Sequence, residues 1–161
     1  MSKFSPQEIL RIAIVVEDNG RIFYEDLENK AKDEKVKEIF RFLKEEEISH
    51  GQIFQKMLDE KEDYIIYEFS NYEYESYVKA IASMYIFSEE SIKSRITVPF
   101  DSEIEAVDFG IQIEKDSILT YLSLTDCLLP IKQPTLYKII DEEKKHLVKL
   151  LELKNYLIKV E

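Results

Sequence analysis

The chain has 161 residues, the size of one domain, and hydrophobic residues make up 45% of it while charged residues make up 34%. This balance is typical of a folded globular domain and excludes a disordered chain. The formal net charge of −11 disfavours nucleic acid as a partner, because an acidic surface repels phosphate backbones. No signal peptide is evident and no apolar run approaches about eighteen residues, so we expect a cytoplasmic protein with no membrane span.

Turn-forming residues are scarce, since the chain has only 3 Gly and 4 Pro, and this scarcity favours long helices over a β-sandwich or barrel. Capping boxes at Ser5–Glu8 and Ser102–Glu105 mark the predicted starts of the first and third helices. The four long helices are predicted to cover residues 5–31, 33–60, 102–128 and 134–157.

About forty residues separate the second predicted helix from the third, and they contain an acidic, aromatic stretch and one shorter predicted helix over residues 74–90. Four helices with one long crossover predict an all-α, ferritin-like four-helix bundle, with residues 1–161 forming a single domain. The crossover tyrosines could form a dimer surface, so we expect a homodimer. These are Tyr64, Tyr67, Tyr72, Tyr74 and Tyr77.

Each long helix carries an apolar seam in steps of three and four residues, with one longer step near the end of the third, and polar residues interrupt every seam near its middle. The interruptions are Glu17, Glu47, His50, Glu114, Glu143 and His146. Both halves of the chain repeat the order Glu, then Glu-x-x-His, with nearly the same spacing, and this indicates two related helical hairpins.

Ionised carboxylates in an apolar seam cost free energy unless something neutralises them. Two divalent cations would balance the four glutamates, while neutral imidazoles add no charge. The spacing therefore predicts a dinuclear metal site, in which Glu47 and Glu143 bridge while Glu17 and Glu114 bind one ion each. Oxygen ligands with one nitrogen per ion favour iron or manganese, although zinc can occupy such sites. For either Glu-x-x-His pair alone, a core histidine hydrogen-bonded to a glutamate is the simpler reading.

The segments around these residues resemble the rubrerythrin branch of the ferritin-like superfamily. They read AIVVEDNGRIFYEDL, FLKEEEISHGQIF, AVDFGIQIEKDSILTY and IIDEEKKHLVKLLE. The resemblance assigns the family's metal ligands to the six seam residues named above. It implies a non-haem centre of two iron ions that reacts with hydrogen peroxide or dioxygen.

Two departures from the family pattern bear on function. Typical rubrerythrins add a rubredoxin-like module with two Cys-x-x-Cys pairs, whereas this chain has the single cysteine Cys127, which we interpret as a small buried hydrophobe. Electrons must then come from a separate donor, such as a rubredoxin-like carrier or a small reductant. Rubrerythrins also carry a further glutamate where this chain has Ser117, so the remaining ligand set is closer to a bacterioferritin-type ferroxidase centre.

These patterns support a leading hypothesis, a rubrerythrin-like peroxide reductase that protects against oxidative stress, and two alternatives. One alternative is a ferroxidase or iron-handling subunit, and the other is a bundle that uses metal only for stability. Tyr24 and Tyr121 each lie seven residues after a seam glutamate. They are interpreted either as hydrogen-bond donors that orient the carboxylates or as ordinary core tyrosines.

Overall fold

A computed structural model describes residues 6–60, 76, 97–125, 128, 130–131 and 133–160. This part of the chain contains four helices and no strand: α1 (Pro6–Lys30), α2 (Glu34–Asp59), α3 (Glu103–Thr125) and α4 (Gln133–Val160). The predicted all-α four-helix arrangement is therefore confirmed. The predicted shorter helix (apart from residue 76), the five crossover tyrosines and Cys127 lie outside the described residues.

The four helices pack as two hairpins, because the main contacts join α1 to α2 and α3 to α4, with fewer between the hairpins. The α1–α2 turn is fixed by Asp33, whose carboxylate accepts hydrogen bonds from the backbone of Lys35 at 2.8 Å and of Val36 at 3.3 Å. Its other oxygen accepts one from the Tyr156 hydroxyl at 3.1 Å, which ties the turn to α4. The two hairpins are thus joined at this end of the bundle.

The predicted cap of α3 is present, because Oγ of Ser102 accepts a hydrogen bond from the backbone of Glu105 at 3.1 Å. The other end of α3 differs from the prediction, since its described part ends at Thr125 and Leu128 is not helical. There the amide of Gln133 donates to the carbonyl oxygens of Thr125 at 3.1 Å and Leu128 at 3.2 Å. A side chain from the start of α4 thereby satisfies backbone groups that the ending helix leaves free.

The apolar seams form two separate clusters, one toward each end of the bundle. The first consists of Leu10, Ala13, Val16, Phe54, Met57, Tyr121, Leu124, Leu128, Leu136, Ile139 and Ile140. The second consists of Phe23, Tyr24, Leu27, Val36, Phe40, Leu43, Ala106, Val107, Ile113, Leu150, Leu153 and Leu157. The six predicted ligand residues fall between the clusters on every helix, so they form one polar layer across the bundle. No helix among the described residues has the length and apolarity needed to cross a membrane.

Neighbouring leucines on α4 provide a matched test of this core. Leu150 is fully buried, whereas Leu151 is 44% exposed. We expect Leu150→Ala to lower the free energy of unfolding by about 2–5 kcal/mol, since it leaves a cavity in the second cluster. Leu151→Ala should change it by no more than about 0.5 kcal/mol, as is usual for surface substitutions. Urea unfolding followed by circular dichroism measures both, and equal effects of the two substitutions would contradict the assignment of the core.

Candidate metal centre

The polar layer brings together all six residues that the sequence analysis predicted as metal ligands. Their potential ligand atoms form two groups, and within each group they lie within 4.8 Å of one another. One group contains Glu17, Glu47, His50 and Glu143, and the other contains Glu47, Glu114, Glu143 and His146. Glu47 and Glu143 belong to both groups, which is the arrangement that two bridging carboxylates require. None of the six side chains is more than 4% exposed.

Both histidines turn Nδ1 toward the carboxylates. Nδ1 of His50 lies 2.9 Å from Oε1 of Glu143. Nδ1 of His146 lies 3.0 Å from Oε2 of the same glutamate. Each Nδ1 has a second carboxylate at 3.6 Å, which is Glu17 for His50 and Glu114 for His146. The imidazole rings stack with centroids 5.6 Å apart. Glu143 therefore lies between two nitrogen atoms that approach it from opposite hairpins.

Several of these converging atoms have no hydrogen-bond partner in the described part of the chain. They are Oε2 of Glu17, Nδ1 of His50, Oε2 of Glu114 and Oε1 of Glu143. The contact between His50 and Glu143 is short but lacks hydrogen-bonding geometry, so it leaves both atoms unpaired. A buried polar atom without a partner is costly, and a bound cation would satisfy all four of these atoms. The residues present thus fit a pair of metal ions.

The carboxylates carry more charge than the protein alone can stabilise. Burial raises the pKa of Glu17 and of Glu47 well above the ordinary value, and neighbouring carboxylates raise it further. Burial and the charge of Glu143 likewise raise the pKa of Glu114 from 4.5 to about 8. Burial acts in the same direction on Glu143, but the adjacent imidazoles of His146 and His50 outweigh it and lower its pKa to about 2. Without metal, protons must take the place of cations on the first three glutamates.

Both histidines also bind protons more tightly than an ordinary histidine does. Burial lowers the pKa of His50, but the adjacent Glu143 and Glu47 outweigh it and raise that pKa from 6.5 to about 9. His146 shows the same balance with Glu114 and Glu143, and its pKa rises to about 10. An imidazolium cannot ligate a cation. Metal binding at neutral pH must therefore displace protons from both rings.

Tyr24 and Tyr121 combine the two roles that the sequence left open. Both side chains are fully buried, and each belongs to one of the apolar clusters. Each hydroxyl also donates a short hydrogen bond across the bundle, from Tyr24 to Oε1 of Glu114 and from Tyr121 to Oε1 of Glu17. Burial and the charge of Glu114 raise the pKa of Tyr24 well above its ordinary value, so its hydroxyl stays protonated and remains a donor. These bonds fix one oxygen of each carboxylate and leave the other free.

Two further carboxylates contact the histidines from outside, and the sequence analysis did not identify them as part of the site. Nε2 of His50 lies 3.0 Å from Oε2 of Glu142, and Nε2 of His146 lies 3.7 Å from Oε2 of Glu46. Each partner comes from the opposite hairpin. A carboxylate that is hydrogen-bonded to the outer nitrogen sets the tautomer that leaves Nδ1 free for a cation. Glu142 is within hydrogen-bond distance of His50, whereas Glu46 is only in ion-pair range of His146. The signal was in the sequence, because both halves read Glu-Glu-x-x-His rather than Glu-x-x-His alone.

The backbone of α1 approaches the centre closely at Gly20. A Cβ atom built there would lie 3.0 Å from Cδ of Glu47 and 3.1 Å from its Oε2. Any side chain at this position would displace a carboxylate shared by both ligand groups. The small residue therefore leaves room for Glu47 to reach the middle of the bundle.

A four-helix bundle with a buried layer of four glutamates and two histidines defines the class of ferritin-like diiron-carboxylate proteins. Comparison with known proteins agrees: a crystal structure from Thermotoga maritima, described as a ferritin-like diiron-carboxylate protein, shares 31% sequence identity with a TM-score of 0.71. The alignment covers 96% of this chain and 97% of that one. The chain belongs to the rubrerythrin family, whose match spans residues 8–154. No curated protein matches it significantly.

The proton affinities predict that the stability of the metal-free protein and the gain in stability from added metal change in opposite directions with pH. Glu114, His50 and His146 all bind protons more tightly when folded, so the metal-free protein should lose stability as pH rises from about 5 toward 9. Metal binding displaces these protons, so the gain in Tm from added metal should grow over the same range. Thermal unfolding with a chelator and with excess cobalt(II) tests this.

A control for this pH prediction is Glu114→Gln, which removes one titrating group. The Tm of the metal-free variant should therefore fall less steeply with rising pH than that of the parent. A metal-free Tm that rises from pH 6 to pH 9 would contradict the assignment.

The outer carboxylates predict a loss of metal affinity without loss of a ligand. Glu142→Ala should weaken metal binding by about 10–100-fold, because His50 loses the hydrogen-bonded partner that orients it. Glu46→Ala should weaken it less, because Glu46 lies 3.7 Å from His146. Glu45→Ala, at an exposed neighbouring position on α2, is the control and should bind as the parent does. Competition with a chromogenic chelator measures the affinities. Parental affinity in both outer variants would show that these carboxylates do not orient the histidines.

Proposed function

We propose that the protein is a non-haem diiron oxidoreductase that reacts with hydrogen peroxide or dioxygen, with peroxide reduction as its leading function. The observation that supports this most directly is the pair of overlapping ligand groups that share Glu47 and Glu143. A purely structural ion would need only one such group, whereas paired metals supply two electrons to an oxidant. The family to which the chain belongs adds support for oxidoreductase chemistry.

The donor set favours iron as the metal. Each proposed position has carboxylate oxygens and a single imidazole nitrogen, which suits iron or manganese better than a structural zinc ion, although zinc can bind. In this proposal His50 and Glu17 would hold one ion, His146 and Glu114 would hold the other, and Glu47 and Glu143 would contribute to both. When bound, the two iron ions supply the redox electrons.

The remaining residues of the chain prepare the site for that chemistry. The nearly complete burial of the six ligands limits the contact of water with the reacting centre. Tyr24 and Tyr121 donate hydroxyl protons to Glu114 and Glu17, and these hydrogen bonds fix the carboxylates. Glu142 orients His50 from the outer side. We assign the two tyrosines as positioning residues.

A ferroxidase or iron-handling function is the second candidate, and Ser117 favours it. This residue is 5% exposed and stands where rubrerythrins carry a further glutamate. Without that group the site has the ligand count of a ferroxidase centre, and dioxygen rather than peroxide would be its oxidant. Storage would also require a large hollow assembly, whereas we propose a homodimer.

We further propose a cytoplasmic setting and an electron donor outside the chain. A chain with one cysteine cannot build the four-cysteine iron site of a rubredoxin-like module. A separate rubredoxin-like carrier, or a small reductant, would therefore return the centre to its reduced state. Because the surface is acidic, a donor with a basic contact surface would be steered toward it.

Anaerobic iron loading tests the proposed function. The parent protein should bind about two ferrous ions per chain and oxidise them rapidly when mixed with hydrogen peroxide. Glu143→Ala removes a residue shared by both ligand groups and should abolish paired binding, while Glu152→Ala at an exposed position on the same helix should not. Stopped-flow absorbance with each oxidant separately gives the rates.

Each outcome of the loading experiment selects one function. Faster oxidation by peroxide supports the reductase, and faster oxidation by dioxygen together with a large assembly on gel filtration supports the ferroxidase. Metal binding without oxidation by either oxidant would leave only a bundle that is stabilised by metal.

A further inference from the structure

A cavity of about 370 Å³ lies at the outer face of the α1–α2 hairpin, and two residues of the polar layer help to line it. Its rim includes the apolar side chains of Val15, which is 51% exposed, and Ile48, which is 39% exposed. Its inner wall includes Glu17 and Glu47, which are almost fully buried. One space is thus lined both by surface residues and by two of the six proposed ligands.

The size of this cavity and the carboxyl groups that line it suit a hydrated metal ion. Six water molecules around a divalent cation occupy about 180 Å³, which this volume can hold. Three carboxyl groups line it, from Glu17, Asp18 and Glu47, against the single guanidinium of Arg21. That guanidinium is neutralised at the rim, because it bonds to Asp18 at 2.8 Å and to Glu25 at 3.1 Å. Oε2 of Glu17, which lies 3.6 Å from Nδ1 of His50, has no hydrogen-bond partner among the described residues.

The residues that line this cavity in the first hairpin differ from the matching residues of the second hairpin. Gly51 follows His50 and lines the cavity, whereas the matching residue after His146 is Leu147, which is partly buried. The repeat partners of Val15 and Ile48 are Gln112 and Lys144, which are hydrogen-bonded to Asp116 and Asp141 at 2.8 and 2.9 Å. The second hairpin therefore has an isobutyl group and bonded polar side chains where the first has a glycine and an apolar rim.

We propose that the cavity beside Gly51 is the passage through which divalent metal ions reach and leave the centre. The proposal deepens the proposed function, since it takes the six residues to be the ligands of those ions. Gly51 sets the width of the passage, because any side chain there projects beside the ligand Glu17. A Cβ atom at position 51 would lie 3.5 Å from Cβ of Glu17, an ordinary contact that the fold can accept.

The test measures cobalt(II) uptake by the metal-free protein, cobalt(II) removal by a chelator, and the equilibrium Kd. Gly51→Leu should slow uptake and removal by the same factor, about tenfold, and leave Kd unchanged. A narrower passage raises the barrier equally in both directions, whereas a damaged site changes Kd. Gly51→Ala should give a smaller slowing, and Ser49→Leu, which adds the same side chain at an exposed position on α2, should give none.

A second variant keeps the test independent of the helix that carries Gly51. Val15→Trp narrows the rim from α1 at a half-exposed position, so the fold should tolerate it, and it too should slow both rates. Parental rates in Gly51→Leu and Val15→Trp would overturn the proposal. So would slowing of uptake alone with a weaker Kd, or equal slowing by Ser49→Leu.

The cobalt experiment also separates this proposal from the proposed function, because it uses no oxidant and no electron donor. Slower exchange in the passage variants, combined with no oxidation of bound iron, would reject the redox function and leave the passage in place. Rapid oxidation in the parent, combined with unchanged exchange in the variants, would do the reverse.

Discussion

The mutual repulsion of four buried carboxylates is the constraint on which the rest of this structure depends. Each glutamate in the polar layer loses the hydration that would stabilise its charge, and Glu143 faces Glu17, Glu47 and Glu114 at close range. Cations resolve the conflict when they are present, and protons resolve it when they are absent. The raised proton affinities of three glutamates and both histidines record the second state.

Contacts that cross from one hairpin to the other stabilise the buried carboxylates. Tyr24 of the first hairpin donates to Glu114 of the second, and Tyr121 of the second donates to Glu17 of the first. The outer carboxylates follow the same rule, with Glu142 facing His50 and Glu46 facing His146. Neither hairpin could build the centre alone. The approximate twofold repeat thus makes the association of the hairpins and the assembly of the ligands one event.

The sequence predicted the six converging residues because polar side chains interrupt otherwise regular apolar seams. On α2 every buried residue falls on the predicted steps, including Glu47 and His50. The spacing is less informative in the second half of α3, where exposed positions are apolar and buried positions are polar: Leu119 is 44% exposed while Ser123 is buried. The roles of Glu46 and Glu142 were missed for another reason. Residues beside a ligand normally face solvent, and only the crossing of the hairpins brings them to the opposite imidazoles.

The division of the apolar core into two clusters has a consequence for the folding cooperativity of the molecule. Apolar contacts run along each end of the bundle but are interrupted at the polar layer, so the helical backbones and the hydrogen bonds of Tyr24 and Tyr121 are the main links between the ends when cations are absent. Local unfolding units follow the density of buried contacts. We therefore expect the two ends to open more independently in native-state hydrogen exchange without metal, whereas ions bound by the six proposed ligands would join them into one cooperative unit.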